Sequence, residues 1–176
     1  MADPEKREQW REWLDELQEE SDRSCALLAA AFLDEQLRAL LEGFLVDDPK
    51  SVGQLFEGSG PLATLSSRID LAYVLGFITP TELRDLGLIR KIRNQFAHEL
   101  HGLSFETEAI SARCNELEAY GLVARMTDAT PRMRFVTTVA LVANWIATRR
   151  MAIKEGRRKI RPEVDGTNVR PSDLGA

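Results

Sequence analysis

Residues with the potential for chemistry cluster in one predicted helix, which spans about residues 79–100. At about 100° per residue, Arg90, Asn94 and His98 follow one another on the exposed face of that helix. Histidine exchanges protons near neutral pH and arginine binds phosphate, so this row carries side chains suited to acid–base or phosphate chemistry. Arg93 lies instead within the apolar arc of the same helix, a position that predicts a buried cation.

A carboxylate interrupts the apolar face of another predicted helix. Asp34 lies in the middle of the inner stripe of the helix predicted for residues 22–46. Burying a charge is costly unless it is paired. We therefore predict a buried ion pair between Asp34 and Arg93, with Glu35 and Arg68 as candidates for additional members of the same polar network.

The segment Arg93–His98 resembles the R-x4-6-H motif of HEPN helical domains, which occur in many toxin and antiviral ribonucleases. The resemblance implies two protomers that place their motifs across a dimer interface and cleave RNA without a metal. It would make His98 the general acid or base for the ribose 2′-OH, Arg93 the group that stabilises phosphorane charge, and Asn94 the group that orients His98. Arg93 and His98 lie about 140° apart around the helix, which does not suit a catalytic pair on one face. This ribonuclease is the alternative function.

A longer resemblance covers about residues 23–110. Three segments in this order, Leu27–Leu41, Gly58–Gly76 and Leu88–His98, resemble the mannitol operon repressor family. The resemblance implies an all-helical protein that regulates mannitol utilisation and lacks an ordinary DNA-reading motif. The favoured interpretation is a regulator without enzymatic activity that binds another protein and forms a homodimer. The sequence does not identify the partner.

The elements that position these residues have a helical pattern throughout. Apolar residues recur at spacings of three and four, and no run of β-branched residues is bounded by hairpin turns. The pattern predicts an all-α, single-domain antiparallel bundle of about six helices over residues 1–155, followed by a flexible polar tail over residues 156–176. The predicted helices are 4–20, 22–46, 61–77, 79–100, 104–120 and 131–155, with a glycine-rich loop over 50–60. The clearest start signal is the capping-box pattern of Thr79, Pro80 and Glu82.

Basic residues dominate positions 149–161, although the whole chain has a net charge of -5. Such a run predicts weak contact with phosphate, without sequence preference and fading with salt. Cations also interact favourably with the C-terminal end of a helix, so the same residues fit a purely structural role. The candidate phosphate contacts are Arg149, Arg150, Lys154, Arg157, Arg158, Lys159 and Arg161.

Composition argues against several classes of protein. With 44% hydrophobic and 29% charged residues the chain resembles a globular domain, and no apolar run reaches the roughly 18 residues of a membrane span. The 2 cysteines, Cys25 and Cys114, lie in helix-like patterns and indicate reduced thiols in a cytoplasmic protein. No phosphate-binding glycine motif and no Cys/His ligand spacing is present. We therefore expect no cofactor and no metal site.

Overall fold

The computed structural model describes residues 4–99, 101–123 and 129–154. Every regular element in these ranges is an α-helix, so the predicted all-α fold class is confirmed. The helices are α1 (Pro4–Glu19), α2 (Asp22–Phe44), α3 (Pro49–Phe56), α4 (Leu65–Val74), α5 (Pro80–His98), α6 (Glu108–Asn115), α7 (Glu118–Val123) and α8 (Pro131–Lys154). The described residues form eight helices where about six were predicted, because the predicted loop over 50–60 contains a helix and the helix predicted over 104–120 is divided in two.

Helix α2 lies at the centre and packs against α8, α5, α4 and α1. Its small buried residues Ala26, Ala29 and Ala30 let neighbouring helices approach closely, and leucines fill the space farther along the helix. Most of the buried apolar side chains in the described ranges belong to one cluster, to which α2, α5 and α8 all contribute. One core therefore holds both α2 and α5, the helices that carry the candidate site residues.

The first part of the chain is fastened to this core by a ring contact and by a polar junction. The Trp13 ring of α1 lies 4.4 Å from the Phe32 ring of α2, measured between centroids. Arg132, in the first turn of α8, donates to the Asp22 carboxylate at 2.6 Å and to the Gln18 carbonyl at 2.9 Å. The other carboxylate oxygen of Asp22 accepts from the Phe105 backbone N–H at 2.9 Å. Asp22 thus connects the start of α2 with α8 and with the loop before α6.

The stretch predicted as a glycine-rich loop is partly helical. Asp48 caps α3 by accepting from the backbone N–H groups of Lys50 and Ser51, at 3.2 and 3.3 Å. Phe56, at the end of α3, is buried against the core. Gly53 lies within α3, and glycine weakens the helical pattern of the sequence. Asp48 followed by Pro49 is nevertheless a recognisable signal for the start of a helix.

The helix predicted for residues 61–77 begins later than expected. Helix α4 starts after Thr64, whose hydroxyl accepts from the Ser67 N–H at 3.2 Å. The chain before it turns tightly at Gly60, where a Cβ would collide with the carbonyl oxygens of Gln54 and Leu55. Glycine is needed at this turn because only it permits such a close backbone approach.

The helix predicted for residues 104–120 is divided into α6 and α7. The backbone N–H groups of Glu118 and Ala119, at the start of α7, donate to the Asp85 carboxylate at 3.0 and 2.8 Å. A carboxylate of α5 therefore caps α7. This long-range partner is absent from the local sequence, which explains why the break was not predicted.

Candidate functional site

A groove with a volume of about 370 Å³ lies between α2, the start of α4, and α5. We call it the α2–α5 groove. Its lining residues are Ala30, Ala31, Asp34, Ala63, Thr64, Leu65, Ser66, Arg90, Arg93 and Asn94. Asp34, Arg93 and Asn94, which were singled out from the sequence, are thus brought to one place from two helices.

Short side chains and precise helix starts form the groove. Alanines at positions 30, 31 and 63 leave open space between the helices. Helix α5 begins with the predicted capping box: the Thr79 hydroxyl accepts from the Glu82 N–H at 3.3 Å, and the Glu82 carboxylate accepts from the Thr79 N–H at 2.7 Å. This start determines which residues of α5 line the groove two to four turns later.

The ion pair of Asp34 is made with Arg68 of α4. Arg68 Nη1 donates to Asp34 Oδ1 at 2.6 Å, and Arg68 Nε donates to the Leu62 carbonyl at 2.8 Å. The Arg68 side chain is 7% exposed and that of Asp34 is 32% exposed. The predicted Asp34–Arg93 pair is therefore wrong, because α4 supplies a buried cation to this carboxylate. Glu35 is exposed and takes no part in this contact.

An aromatic ring supports the same arginine. The Arg68 guanidinium lies 5.6 Å from the ring centroid of Phe56, and the Arg38 guanidinium lies 5.5 Å from the same centroid. Guanidinium groups are attracted to the faces of aromatic rings. The buried Phe56 thus connects α3 with arginines of α2 and α4, an arrangement that the sequence pattern did not reveal.

Arg93 is exposed rather than buried, so its predicted place in the apolar core is also wrong. Its buried neighbours in the apolar arc are Ile89, Ile92 and Phe96. Arg93 lines the α2–α5 groove, and it donates to Asn94 Oδ1 at 3.1 Å. Arg90 is half-buried and lines the same groove.

His98 lies apart from the groove. It is exposed in the last turn of α5 and is not among the groove-lining residues. The end of α5 is satisfied by Arg23 of α2, whose guanidinium donates to the carbonyls of Phe96 and Glu99. Arg93 and Asn94 are therefore in contact with each other, whereas His98 occupies a different surface.

The basic run near the end of α8 is partly committed to structure. Arg149 Nη1 donates to Glu82 Oε1 at 2.5 Å, and the Glu82 side chain is 1% exposed. This ion pair joins α8 to the capping box of α5, so Arg149 is not free for phosphate. Arg150 is half-buried in α8. The side chain of Lys154 and all of Arg157, Arg158, Lys159 and Arg161 lie outside the described residues, and their phosphate contact stays a prediction.

The two cysteines are buried and unreactive. Burial raises the pKa of Cys25 to about 11 and that of Cys114 to about 12, because an apolar surrounding disfavours the thiolate. Within the described ranges, no group of three or more His, Cys, Asp or Glu side chains is arranged to hold a metal ion. No helix in that part of the chain combines the length and hydrophobicity that a membrane span needs.

Thr64, Ser66 and Arg90 complete the groove, and sequence analysis did not assign the first two to any site. Thr64 carries a local signal, because a threonine three residues before Ser67 fits a helix N-cap. Nothing local indicates that this cap would face α5 across the groove. Arg90 was placed correctly beside Asn94 from helical spacing alone.

Comparison with known sequences gives the same family as the three co-ordered segments. The sequence model of the mannitol repressor (MtlR) family matches residues 11–149. Two mannitol operon repressors of Escherichia coli, from strain K12 and from the O6:H1 strain CFT073, are each 33% identical to this chain over 99 residues. Each match covers 54% of this chain and 51% of the relative, so the match spans about half the length of these relatives.

A solved structure shares the fold. The X-ray structure of the MtlR-HPr complex from Escherichia coli matches with a TM-score of 0.57 and 24% sequence identity, over 82% of this chain and 98% of that chain. The family match extends from α1 to the last turns of α8 and includes the whole α2–α5 groove. The chain belongs to the mannitol repressor family.

Proposed function

We propose that this chain is a regulator of mannitol utilisation that acts by binding another protein, without enzymatic activity of its own. The observation that carries the proposal is the family match over residues 11–149. The relatives from Escherichia coli that bear the name mannitol operon repressor support the same role.

The partner we propose is an HPr protein. The solved relative is a complex of MtlR with HPr, and its fold is shared by 82% of this chain. Binding to a protein also suits a chain whose described surface carries large exposed apolar side chains, among them Val74 at 80% and Leu122 at 69% exposure.

Two experiments test this function separately. Deletion of the gene in its native organism should raise the transcripts of the mannitol-utilisation genes during growth without mannitol, and the intact gene should restore repression. Calorimetric titration of the purified chain with HPr from the same organism should show saturable binding. Unchanged transcript levels would contradict the regulatory role. The absence of a binding signal in the titration would contradict the proposal that HPr is the partner.

We further propose that the protein is cytoplasmic and forms a homodimer. Both cysteines are free and buried, which suits a reducing compartment. Tyr73 and Val74 form an exposed apolar edge at the end of α4 that is suited to self-association. Analytical ultracentrifugation should show a dimer, and Val74→Ser should weaken it. Leu122→Ser is the control, because Leu122 is also an exposed apolar residue but lies on α7, and this variant should remain a dimer. A monomer at all concentrations would contradict the dimer.

The ribonuclease alternative is not supported. Its motif would need Arg93 and His98 to act on one phosphate, yet Arg93 lines the α2–α5 groove and His98 is exposed outside it. No contact among the described residues joins these two side chains.

A further inference from the structure

The α2–α5 groove carries two arginines whose charges are not neutralised by any described carboxylate. Within the described ranges, the Arg90 side chain forms no hydrogen bond or ion pair. The Arg93 guanidinium donates a hydrogen bond to the neutral side-chain amide of Asn94. Asp34 is the acidic residue of the lining, and Arg68 already pairs with it at 2.6 Å. Together with Arg68 beside it, the groove therefore carries three positive charges against the single negative charge of Asp34, in a chain whose net charge is -5.

The arrangement of these arginines suits one doubly charged oxyanion. Residues three positions apart on a helix have Cβ atoms about 5–6 Å apart, so Arg90 and Arg93 can hold one group between them. Guanidinium groups bind phosphate oxygens in pairs of parallel hydrogen bonds. A volume of about 370 Å³ accommodates a phosphate together with a small organic moiety. Asn94 of α5 and Ser66 of α4 add neutral polar groups to the groove lining.

From this charge count and geometry, we propose that the α2–α5 groove binds a dianionic phosphate group, either free or as the monoester of a small molecule. Arg90 and Arg93 hold the oxyanion. The ion pair with Arg68 keeps Asp34 from neutralising these arginines, so the groove remains positive. This ligand site goes beyond the proposed regulatory role and does not depend on it.

The test is a titration of the purified full-length chain with inorganic phosphate, and separately with glycerol phosphate, at constant ionic strength maintained with sodium chloride. Binding is measured by calorimetry and by the rise in melting temperature. We expect saturable binding, with Arg90→Gln and Arg93→Gln each weakening it by about tenfold or more, since each removes a charge-assisted contact. Tighter binding of glycerol phosphate than of phosphate would identify a monoester as the ligand.

Lys91→Gln is the matched control, because Lys91 is exposed on the same helix outside the groove lining and its loss removes the same charge. This variant should bind phosphate as the parent does. Circular dichroism should show that all three variants are folded. Equal loss in Lys91→Gln would overturn the proposal, since it would indicate nonspecific attraction.

Two further outcomes would also overturn it. One is absence of any phosphate effect beyond that of chloride in the parent protein. The other is loss of HPr binding in Arg90→Gln and Arg93→Gln when the parent takes up no phosphate, because the groove would then be a contact surface for the partner. Failure of HPr binding with intact phosphate binding would affect the proposed function alone.

Discussion

The Asp34–Arg68 pair shows how exposure decides the energetics of a single side chain. The Arg68 side chain is 7% exposed, so water cannot replace a partner that is removed, whereas the Asp34 side chain is 32% exposed. The buried Arg68 guanidinium donates hydrogen bonds to the Asp34 carboxylate and to the Leu62 carbonyl. Without the carboxylate, the Leu62 carbonyl would be the acceptor that remains of these two. The carboxylate therefore matters more to folding than its own partial exposure suggests.

We expect Asp34→Asn to lower the free energy of unfolding by about 2–3 kcal/mol, at the lower end for a buried pair because Asp34 is partly solvated. Urea denaturation measures this change. Glu35→Gln, an exposed change at the next position of α2, should stay within about 0.5 kcal/mol of the parent. A loss below about 1 kcal/mol for Asp34→Asn would mean that the pair is absent.

His98 is exposed at the end of α5. His98→Ala should leave the melting temperature unchanged, and the purified parent should cleave RNA no faster than buffer, with or without chelator. Metal-independent cleavage that His98→Ala lowers by roughly 10²–10⁴-fold, the usual size of a lost acid–base group, would restore the ribonuclease hypothesis.

Helix α7 depends on a side chain of α5 for the hydrogen bonds at its N-terminus. A helix of 6 residues cannot form alone, and the backbone N–H groups at its N-terminus are satisfied by Asp85. Burial is the largest influence on this carboxyl, and it raises the Asp85 pKa above its ordinary value of 3.8 despite the two hydrogen bonds. The same group therefore caps a helix and binds its proton more tightly when the chain is folded.

This pKa shift has a definite sign for stability. Because the folded chain retains the Asp85 proton at a pH where the unfolded chain has lost it, the contribution of Asp85 is greatest below its ordinary pKa and declines as pH rises through the folded pKa. The stability of the parent minus that of Asp85→Asn should therefore fall as pH rises above the ordinary carboxyl pKa. Denaturant unfolding at several pH values measures this difference, and a rise with pH would contradict it.

One core holds the described helices together, and the pair of Glu82 with Arg149 attaches the last turns of α8 to α5. The domain boundary near residue 155 stays a prediction. Residues 156–176 lie outside the described ranges, and their sequence offers few apolar side chains for burial.

Deletion of Gly156–Ala176 should leave the melting temperature unchanged. A longer deletion that begins at Arg149 should lower the melting temperature by several degrees, because it removes the ion-pair partner of the buried Glu82. In a chain of this size, each kcal/mol of lost stability lowers the melting temperature by about 2–4 °C. Calorimetric melting of both truncated chains provides the comparison. A clear drop for the shorter deletion would mean that the tail packs on the domain.

Features that depend on neighbours along the chain could be predicted from the sequence. The capping box of Thr79 and Glu82, the apolar arc of α5 and the row of Arg90 and Asn94 follow from helical spacing and local hydrogen bonding, and all three are present. The family could also be recognised, because its segments occur in a fixed order.

Which charged side chains pair with one another depends on how the helices pack. Asp34 and Arg68 are 34 positions apart, and helical periodicity places each on a face without saying which helix lies opposite. Arg68 and Arg93 are both cations that could pair with Asp34. The packing of α4 against α2 brings Arg68 to this carboxylate. Arg93 is exposed instead and lines the α2–α5 groove together with Arg90. Local pattern determines the direction of a side chain, whereas its partner depends on how the helices pack in three dimensions.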